Sequence, residues 1–451
     1  MPHISNKLRS DKLKVSFFGG AQEVGRSCIL IETEKTKVLL DAGVKLGREI
    51  EMPDIDNEIF KSLDAIVLSH AHLDHIGYLP HIYSSGYRGF AYATKPTTEL
   101  TNVLISDYMH ISNPKDVTKE GLKQMMSKYK IIEYMEEFKI NELTLKFIPA
   151  GHILGSAMIH VSDGKNTLLY TGDINTAKTK LFDGTYLKDL HADTLIIEST
   201  YGGKDNIFDN EKNIVKDMMK SIKETISKNG KIIIPSFAAG RAQEVLLLLD
   251  DHINSGIIPK VPIYVDGMIN KAMRIHRHNV IYCRKELQSR ILMSDYDPFK
   301  SKNFYPVERK GTRNKIIKQD ESCIIVTTSG MITGGPVLFY LSQLSNNSLN
   351  KIMMVGYQAN GTRGRELQDG AKTMDINDSK IEIKMDVETY HLSAHADRRG
   401  LESVINKVSG LKNVFIVHGE KSRSESLKEF VDKKGLNGIV PQIDGTYEID
   451  S

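Results

Sequence analysis

Six short apolar segments of this 451-residue chain each lead directly to an aspartate, a glutamate or a histidine. Short runs of this kind are typical of buried strands. Polar groups at the carboxyl ends of strands face the crevice in which open α/β sheets place their functional sites. Core packing does not explain why all six runs end on a metal-ligating residue type. The residues at these ends are Asp41, His70, His152, Asp173, Glu198 and His418.

The composition, 40% hydrophobic and 26% charged, is that of a globular protein, and the length predicts two or three domains. The three cysteines, Cys28, Cys283 and Cys323, are far apart. Their spacing excludes a disulfide framework and a thiolate zinc site, and it fits a reducing compartment. The first residues are polar, and no apolar run is long enough to span a membrane. We therefore predict a soluble, cytoplasmic protein with no membrane partner.

In the middle of the chain, strand-like runs alternate with helical periodicity, which is typical of an α/β domain with a mainly parallel sheet. The pattern predicts helices over 214–228 and 238–250, with a strand over 231–235 between them. Residues 204–385 carry 28 Lys and Arg against 20 Asp and Glu, whereas the rest of the chain is net acidic. A basic lobe suits a polyanion, although chance explains the charge distribution equally well. We predict one domain inserted into another, with boundaries at 1–203, 204–385 and 386–451.

The densest group of ligand types is His70-Ala71-His72-Leu73-Asp74-His75, directly after a predicted strand. Neutral imidazole and carboxylate are the ligands that suit zinc and similar divalent ions. His70 and His72 are two residues apart, so in an extended segment they share one face. Asp74 and His75 lie where the chain should turn into a helix, which lets them diverge toward a second ion. This spacing predicts a metal centre with two ions.

The same segment resembles the second motif of the metallo-β-lactamase superfamily, and the other motifs follow in order. Leu39–Gly43, around Asp41, resembles the first motif, and Gly151–Ser156, around His152, resembles the third. Tyr170–Asp173 resembles the fourth. The resemblance implies a four-layer αββα fold.

Further segments are similar to motifs A, B and C of the β-CASP nucleases, centred on Glu198, His395 and His418. Pro235–Glu244 and Ser329–Met331 match blocks of the α/β domain that is inserted in that family. Glu23–Cys28 resembles the endonuclease subunit of the cleavage and polyadenylation specificity factor. The overall expectation is an α/β protein whose four-layer metallo-β-lactamase fold contains an inserted α/β β-CASP domain.

The resemblance implies two Zn²⁺ per chain, close enough together to activate water against a phosphodiester. It places Asp74 among the catalytic residues as well as among the ligands. Asp41 is expected to lie behind the ligands and to orient them by hydrogen bonding. The implied ligands are His70, His72 and His152 for one ion, Asp74, His75 and His418 for the other, and Asp173 between them.

The departing 3′ oxygen of a cut RNA needs a proton. A histidine beside a carboxylate can supply one, because the negative neighbour favours imidazolium. Motifs A and B make Glu198 and His395 the candidate catalytic pair. His391, four residues earlier, is the rival for this role and is otherwise a candidate RNA contact.

Four further residues of the predicted insertion lie in turns flanked by glycine. Hydroxyl, guanidinium and free backbone N–H groups at such turns suit phosphate oxygens. The candidate RNA-phosphate contacts are Ser236, Arg241, Ser329 and Arg363, together with His391.

We predict a zinc-dependent ribonuclease that leaves 5′-phosphate and 3′-hydroxyl ends. Single-stranded RNA is its expected partner, in RNA 3′-end processing, transcription termination or decay, alongside transcription or processing machinery. A histidine at motif C, His418, favours RNA over DNA within this family. The alternatives are a DNA nuclease, an RNA-binding scaffold subunit without cleavage, and a small-molecule hydrolase of the glyoxalase type. An added 5′-to-3′ exonuclease activity and a homodimer stay open.

Overall fold

The computed structural model describes residues 13–449 except 48, 113, 295, 377 and 378. Within these residues the strands form two seven-stranded sheets, a six-stranded sheet and a two-stranded hairpin. No helix in this described part is both long and apolar enough to span a bilayer.

The first part of the chain contributes strands to both large sheets. Strands β1–β11 are Leu13–Gly19, Cys28–Glu32, Lys37–Leu40, Ala65–Val67, Phe90–Ala93, Tyr129–Ile131, Glu137–Ile140, Leu143–Pro149, Ala157–Ser162, Thr167–Tyr170 and Thr194–Glu198. Helices α1–α5 are Asn57–Ser62, Leu73–Ile76, Leu79–Ser84, Lys95–Ser112 and Lys119–Ser127.

The middle part alternates strands with helices, as the sequence predicts. Strands β12–β19 are Ile232–Pro235, Ile263–Asp266, Phe304–Val307, Ile324–Thr327, Lys351–Met354, Thr373–Ile376, Ser379–Glu382 and Asp386–Thr389. Helices α6–α12 are Glu211–Ser227, Arg241–Asn254, Ile269–His278, Lys285–Leu292, Lys310–Lys318, Pro336–Leu344 and Arg363–Gln368. The last part adds α13 (Arg398–Lys407), β20 (Asn413–Val417), α14 (Lys421–Lys433), β21 (Asn437–Ile439) and β22 (Gly445–Ile449).

The two large sheets pack face to face and are covered by helices on their outer faces. The first sheet has the order β22-β1-β2-β3-β4-β5-β6, and the second has the order β21-β20-β11-β10-β9-β8-β7. Because side chains alternate along a strand, Ile29 and Ile31 of β2 face the second sheet, whereas Leu30 faces the helices. Leu401 of α13 and Leu427 of α14 cover the outer face of the second sheet. These four layers are the αββα fold that the resemblance implies.

The third sheet, β14-β13-β15-β12-β16-β19, is parallel throughout its described strands. Apolar residues of α6, α7 and α8 cover one face, and those of α10, α11 and α12 cover the other. Short β-branched runs such as Ile232–Ile234 are buried on both faces, which is typical of a parallel sheet. This is the inserted α/β domain.

Two details differ from the sequence-based expectations. Strand β19 (Asp386–Thr389) pairs with β16 of the third sheet, so we propose that the chain leaves the insertion after Thr389 rather than at 385. The helix expected over 238–250 begins at Arg241, because Gly240 has φ +87°. A Cβ on Gly240 would lie 2.5 Å from the side chain of Ile153, so only glycine fits this close approach.

Phe17 ties the two ends of the described chain together inside the sheet sandwich. Its ring centroid lies 5.3 Å from that of Phe415 and 5.8 Å from that of Tyr447. We predict that Phe17→Ala lowers the free energy of unfolding by about 3–5 kcal/mol, since it leaves a cavity in a fully buried core. Urea unfolding followed by circular dichroism measures this. Ile281→Ala, at a side chain that is 67% exposed, is the control and should change stability by less than about 0.5 kcal/mol.

Candidate metal centre

The ends of strands from both large sheets meet at one edge of the sandwich. Asp41 follows β3 and His70 lies three residues after β4, both in the first sheet. Asp173 follows β10 closely, and His418 comes directly after β20, both in the second sheet. The residues at these ends are buried although they are polar, which indicates a site rather than a solvated surface.

One group of side chains contains three imidazoles and one carboxylate. His72 Nδ1 lies 3.3 Å from His70 Nε2 and 3.0 Å from His152 Nε2. Asp173 Oδ2 lies 3.4 Å from His70 Nε2 and 3.6 Å from His152 Nε2. One ligand atom from each of the four side chains lies within 4.8 Å of the others. We call His70, His72 and His152 the first set.

A second group lies on the other side of the same carboxylate, formed by Asp74, His75 and His418. His418 Nε2 lies 3.3 Å from Asp74 Oδ2. Asp173 Oδ1 lies 3.3 Å from His75 Nε2 and 3.4 Å from His418 Nδ1. We call these three residues the second set. Each oxygen of Asp173 thus faces a different set.

The donor atoms fit a pair of divalent ions. Asp173 Oδ1 and His75 Nε2 are buried and have no hydrogen-bond partner among the described residues, an arrangement that bound cations would satisfy. Burial holds the pKa of the His70 and His152 imidazoles well below its ordinary value, which favours the neutral form that can coordinate. Burial alone would raise the pKa of the Asp173 carboxyl, but His418 and His75 hold it well below its ordinary value.

Asp41 lies behind the second set and orients it. Its Oδ2 lies 2.7 Å from His75 Nδ1 and accepts hydrogen bonds from Ser69 Oγ at 2.6 Å and Tyr170 OH at 2.8 Å. Its Oδ1 accepts from Ser69 N at 2.7 Å. A proton held on His75 Nδ1 leaves the lone pair of Nε2 directed toward Asp173. Sequence reasoning missed Ser69 and Tyr170, although both belong to the segments that carry the motifs.

Glu198 and His395 form a pair at the edge of the first set. His395 Nδ1 lies 3.0 and 3.1 Å from the two Glu198 oxygens, and Glu198 Oε1 accepts a hydrogen bond from Ile174 N. Burial alone would lower the pKa of His395, but the carboxylates of Glu198, Asp173 and Asp74 together raise it to about 9, with Glu198 the largest of the three. His395 Nε2 lies 3.9 Å from Asp173 Oδ2, so its free nitrogen faces the metal centre.

His391 lies in a different position from His395, the other candidate proton donor. Its ring stacks on Phe208 with a centroid distance of 5.2 Å and an interplanar angle of 8°. It borders a cavity of about 740 Å³, which Tyr201, Tyr357 and Arg423 also line. The guanidinium of Arg423 lies 5.8 Å from the Tyr201 ring centroid and 5.7 Å from that of Tyr357. His391 thus borders this cavity, whereas His395 lies beside Asp173.

Two of the other candidate phosphate contacts, Ser329 and Arg363, form hydrogen bonds within the protein, and the other two, Ser236 and Arg241, are buried. Ser329 Oγ accepts from Thr333 N and Gly334 N inside its own turn. Arg363 Nε donates to the carbonyl of Asp375, and Ser236 is buried. Arg241, at the start of α7, is 6% exposed. Their contact with RNA stays a prediction.

Three family models match the chain and together cover most of it. A metallo-beta-lactamase superfamily domain matches residues 30–199, a Beta-Casp domain matches 242–367, and a Zn-dependent metallo-hydrolase RNA specificity domain matches 380–441. The regions matched by the first and third of these models contain all the residues of the two sets. The region matched by the second model lies in the insertion.

The chain is also similar to curated archaeal proteins. It is 38% identical over 428 residues to a transcription termination factor FttA of Methanocaldococcus jannaschii, covering 91% of this chain and 67% of that protein. It is 38% identical over 416 residues to an RNase J-like protein of the same organism, covering 91% of this chain and 94% of that protein. The FttA of Pyrococcus abyssi is 35% identical over 461 residues, covering 96% and 71%.

A solved structure has the same fold. The crystal structure of a protein of unknown function from Enterococcus faecalis V583 matches with a TM-score of 0.59 and 15% sequence identity, covering 97% of this chain and 100% of the other. The αββα sandwich, the doubly wound insertion, the matched family models and the archaeal relatives lead to one conclusion. This chain belongs to the metallo-β-lactamase superfamily and, within it, to the β-CASP ribonuclease family.

Proposed function

We propose that this protein is a two-zinc ribonuclease that cuts single-stranded RNA internally and acts in transcription termination or RNA 3′-end processing. The observation that carries the proposal is the division of the two Asp173 oxygens between two sets of ligands, His70, His72 and His152 on one side and Asp74, His75 and His418 on the other. A carboxylate can bridge two ions because it has two oxygens. A neutral imidazole has only one available lone pair and cannot.

Zinc bound by these sets would act as a Lewis acid and lower the pKa of water to about 7. The chain's own residues account for the remaining steps. Asp41 holds His75 in the tautomer that coordinates. The Glu198 carboxylate raises the pKa of His395 and so favours its imidazolium form, from which His395 Nε2 can deliver a proton to the departing 3′ oxygen.

RNA is the favoured substrate for three reasons. A matched family model describes an RNA specificity domain, and the curated relatives are named as termination factors or as an RNase J-like protein. The cavity beside His391 combines the rings of Tyr201, Phe208 and Tyr357 with three guanidinium groups, although four aspartates also line it: the charged residues are Arg365, Arg399, Arg423, Asp205, Asp209, Asp217 and Asp369. Aromatic rings beside cationic groups suit unpaired bases and their phosphates. A scaffold role without cleavage is disfavoured, because each expected ligand position holds a ligating residue.

We predict cleavage of RNA and not of DNA. Purified protein should convert end-labelled RNA into internal fragments, leave DNA of the same sequence intact, and lose activity with a chelator of divalent cations. Equal cleavage of both polymers would contradict the RNA preference. Mononucleotides as the sole product would favour a 5′-to-3′ exonuclease.

We predict about two zinc ions per chain for the wild-type protein, as measured by mass spectrometry of metals after dialysis. Asp74→Ala removes one ligand of the second set and should leave about one ion. Lys61→Gln, which breaks an exposed ion pair with Glu58, is the control and should retain two. A wild-type protein with a single ion, or none, would contradict the proposed centre.

We predict that His395→Ala lowers the cleavage rate by about 10²–10⁴-fold while zinc is retained, since it removes a proton donor and no ligand. His391→Ala should keep most of the rate and weaken RNA binding. Single-turnover cleavage and zinc content of both variants separate these roles. The reverse pattern would move the proton-donor role to His391.

A further inference from the structure

The loop Gly20–Ser27 between β1 and β2 contributes no ligand, yet its backbone contacts both segments that carry the second set. His418 N donates a hydrogen bond to the carbonyl of Gly20 at 2.6 Å. Ser27 N donates to the carbonyl of Asp74 at 2.8 Å. This loop, which we call the anchoring loop, therefore joins two ligands that are 344 positions apart in the sequence.

Asp74 and His75 depend on such contacts because they lie on α2, a helix of four residues. A helix this short is unstable by itself, since the cost of nucleation is not recovered. Beside the Asp74 contact, Val44 N donates to the Leu73 carbonyl at 3.0 Å and Ala42 N donates to the His75 carbonyl at 2.7 Å. Backbone N–H groups from outside the helix thus donate hydrogen bonds to the carbonyls of three consecutive residues, Leu73, Asp74 and His75.

The anchoring loop adopts a conformation that needs support. Gly20 and Gly25 have φ of +71° and +110°, and the non-glycine residues Gln22 and Arg26 have φ of +58° and +40°. Left-handed conformations are strained at residues other than glycine. Other interactions must therefore fix the loop.

The support comes from an acidic side chain that bridges two cations. Glu23 Oε1 lies 2.5 Å from Arg26 Nε, and Glu23 Oε2 lies 2.9 Å from Lys45 Nζ. Glu51, whose side chain is 48% exposed, also lies 2.9 Å from Lys45 Nζ and 3.7 Å from Arg26 Nη2, so Glu23 is the more buried of the two acidic partners. Arg26 Nη1 also donates to the Met52 carbonyl at 2.8 Å. The Glu23 and Arg26 side chains are 14% and 15% exposed, so solvent screens this pair less than a surface pair. Lys45 follows Val44, so the bridge fixes the loop against the segment that holds α2.

We infer that Glu23 is a positioning residue for the second zinc ion, acting through the backbone of the anchoring loop on Asp74 and His418. The inference rests on the proposed two-zinc function. The first set has its own supports: His152 Nδ1 lies 2.8 Å from the Ala394 carbonyl, and His70 Nδ1 lies 3.0 Å from Ser69 Oγ. Loss of the Glu23 bridge should therefore affect the two ions unequally.

Glu23→Gln tests this, because it keeps the shape of the side chain and removes its charge. Zinc affinity is measured by competition with a chromophoric chelator, and zinc content by mass spectrometry of metals. The affinity of the second ion should fall about 10–100-fold, as for other residues that support metal ligands, while the first ion keeps its affinity. In an Asp74→Ala background, Glu23→Gln should leave the affinity for the remaining ion unchanged.

Asp251→Asn is the matched control. Asp251 also bridges a lysine and an arginine, with Lys180 Nζ at 2.9 Å and Arg290 Nη2 at 2.8 Å. These groups lie outside both sets and the anchoring loop. The variant should bind two ions with wild-type affinity.

Wild-type affinity for both ions in Glu23→Gln would overturn the inference, as would an equal loss of both ions or the same loss in Asp251→Asn. Lys45→Gln is the second variant if Glu23→Gln does not fold, and it should show the same selective loss. A wild-type protein without two ions would overturn the proposed function instead, so the two failures are distinguishable.

Discussion

The carboxylate of Asp173 is the group on which the site depends. Its side chain is 1% exposed, and burying an ionised carboxylate is costly unless opposite charge or coordination compensates. The imidazoles on both sides and the cations they would hold provide that compensation, and they come from three segments: His70, His72 and His75 follow β4, His152 follows β8, and His418 follows β20. The register of both sheets is therefore linked to the chemistry, since a one-residue slip would turn a ligand to the opposite face.

The insertion is part of this arrangement and not an appended module. The carbonyl of Ala239 lies 3.5 Å from His72 Nε2, and the ring centroid of Phe237 lies 5.8 Å from that of His72. One apolar cluster continues from Leu39 and Ile66 of the first sheet to Leu247 of α7. The insertion thus covers one side of the first set and forms a wall of the cleft.

Much of the fold and of the candidate site could be predicted from the sequence, because the information is local. His70 and Asp173 each lie shortly after an apolar run, and parallel strands bring such ends to one edge. The turn that makes α7 begin at Arg241 rather than at 238 and the pairing of β19 with the third sheet are not local, because both depend on neighbours distant in sequence. The same holds for the bridge between Glu23 and Lys45, which are 22 positions apart. The role of Ser329 could not be predicted for a different reason, because a serine hydroxyl in a turn can bond either a ligand or its own backbone, as it does here.

The pairing of β22 with β1 has a consequence for the order in which the molecule is completed. During synthesis on the ribosome, the third sheet has all its described strands once residue 389 has emerged. The first sheet waits for residues 445–449, and the second set of ligands waits for His418. A nascent chain therefore has all the described strands of the third sheet before it has the complete set of candidate metal ligands.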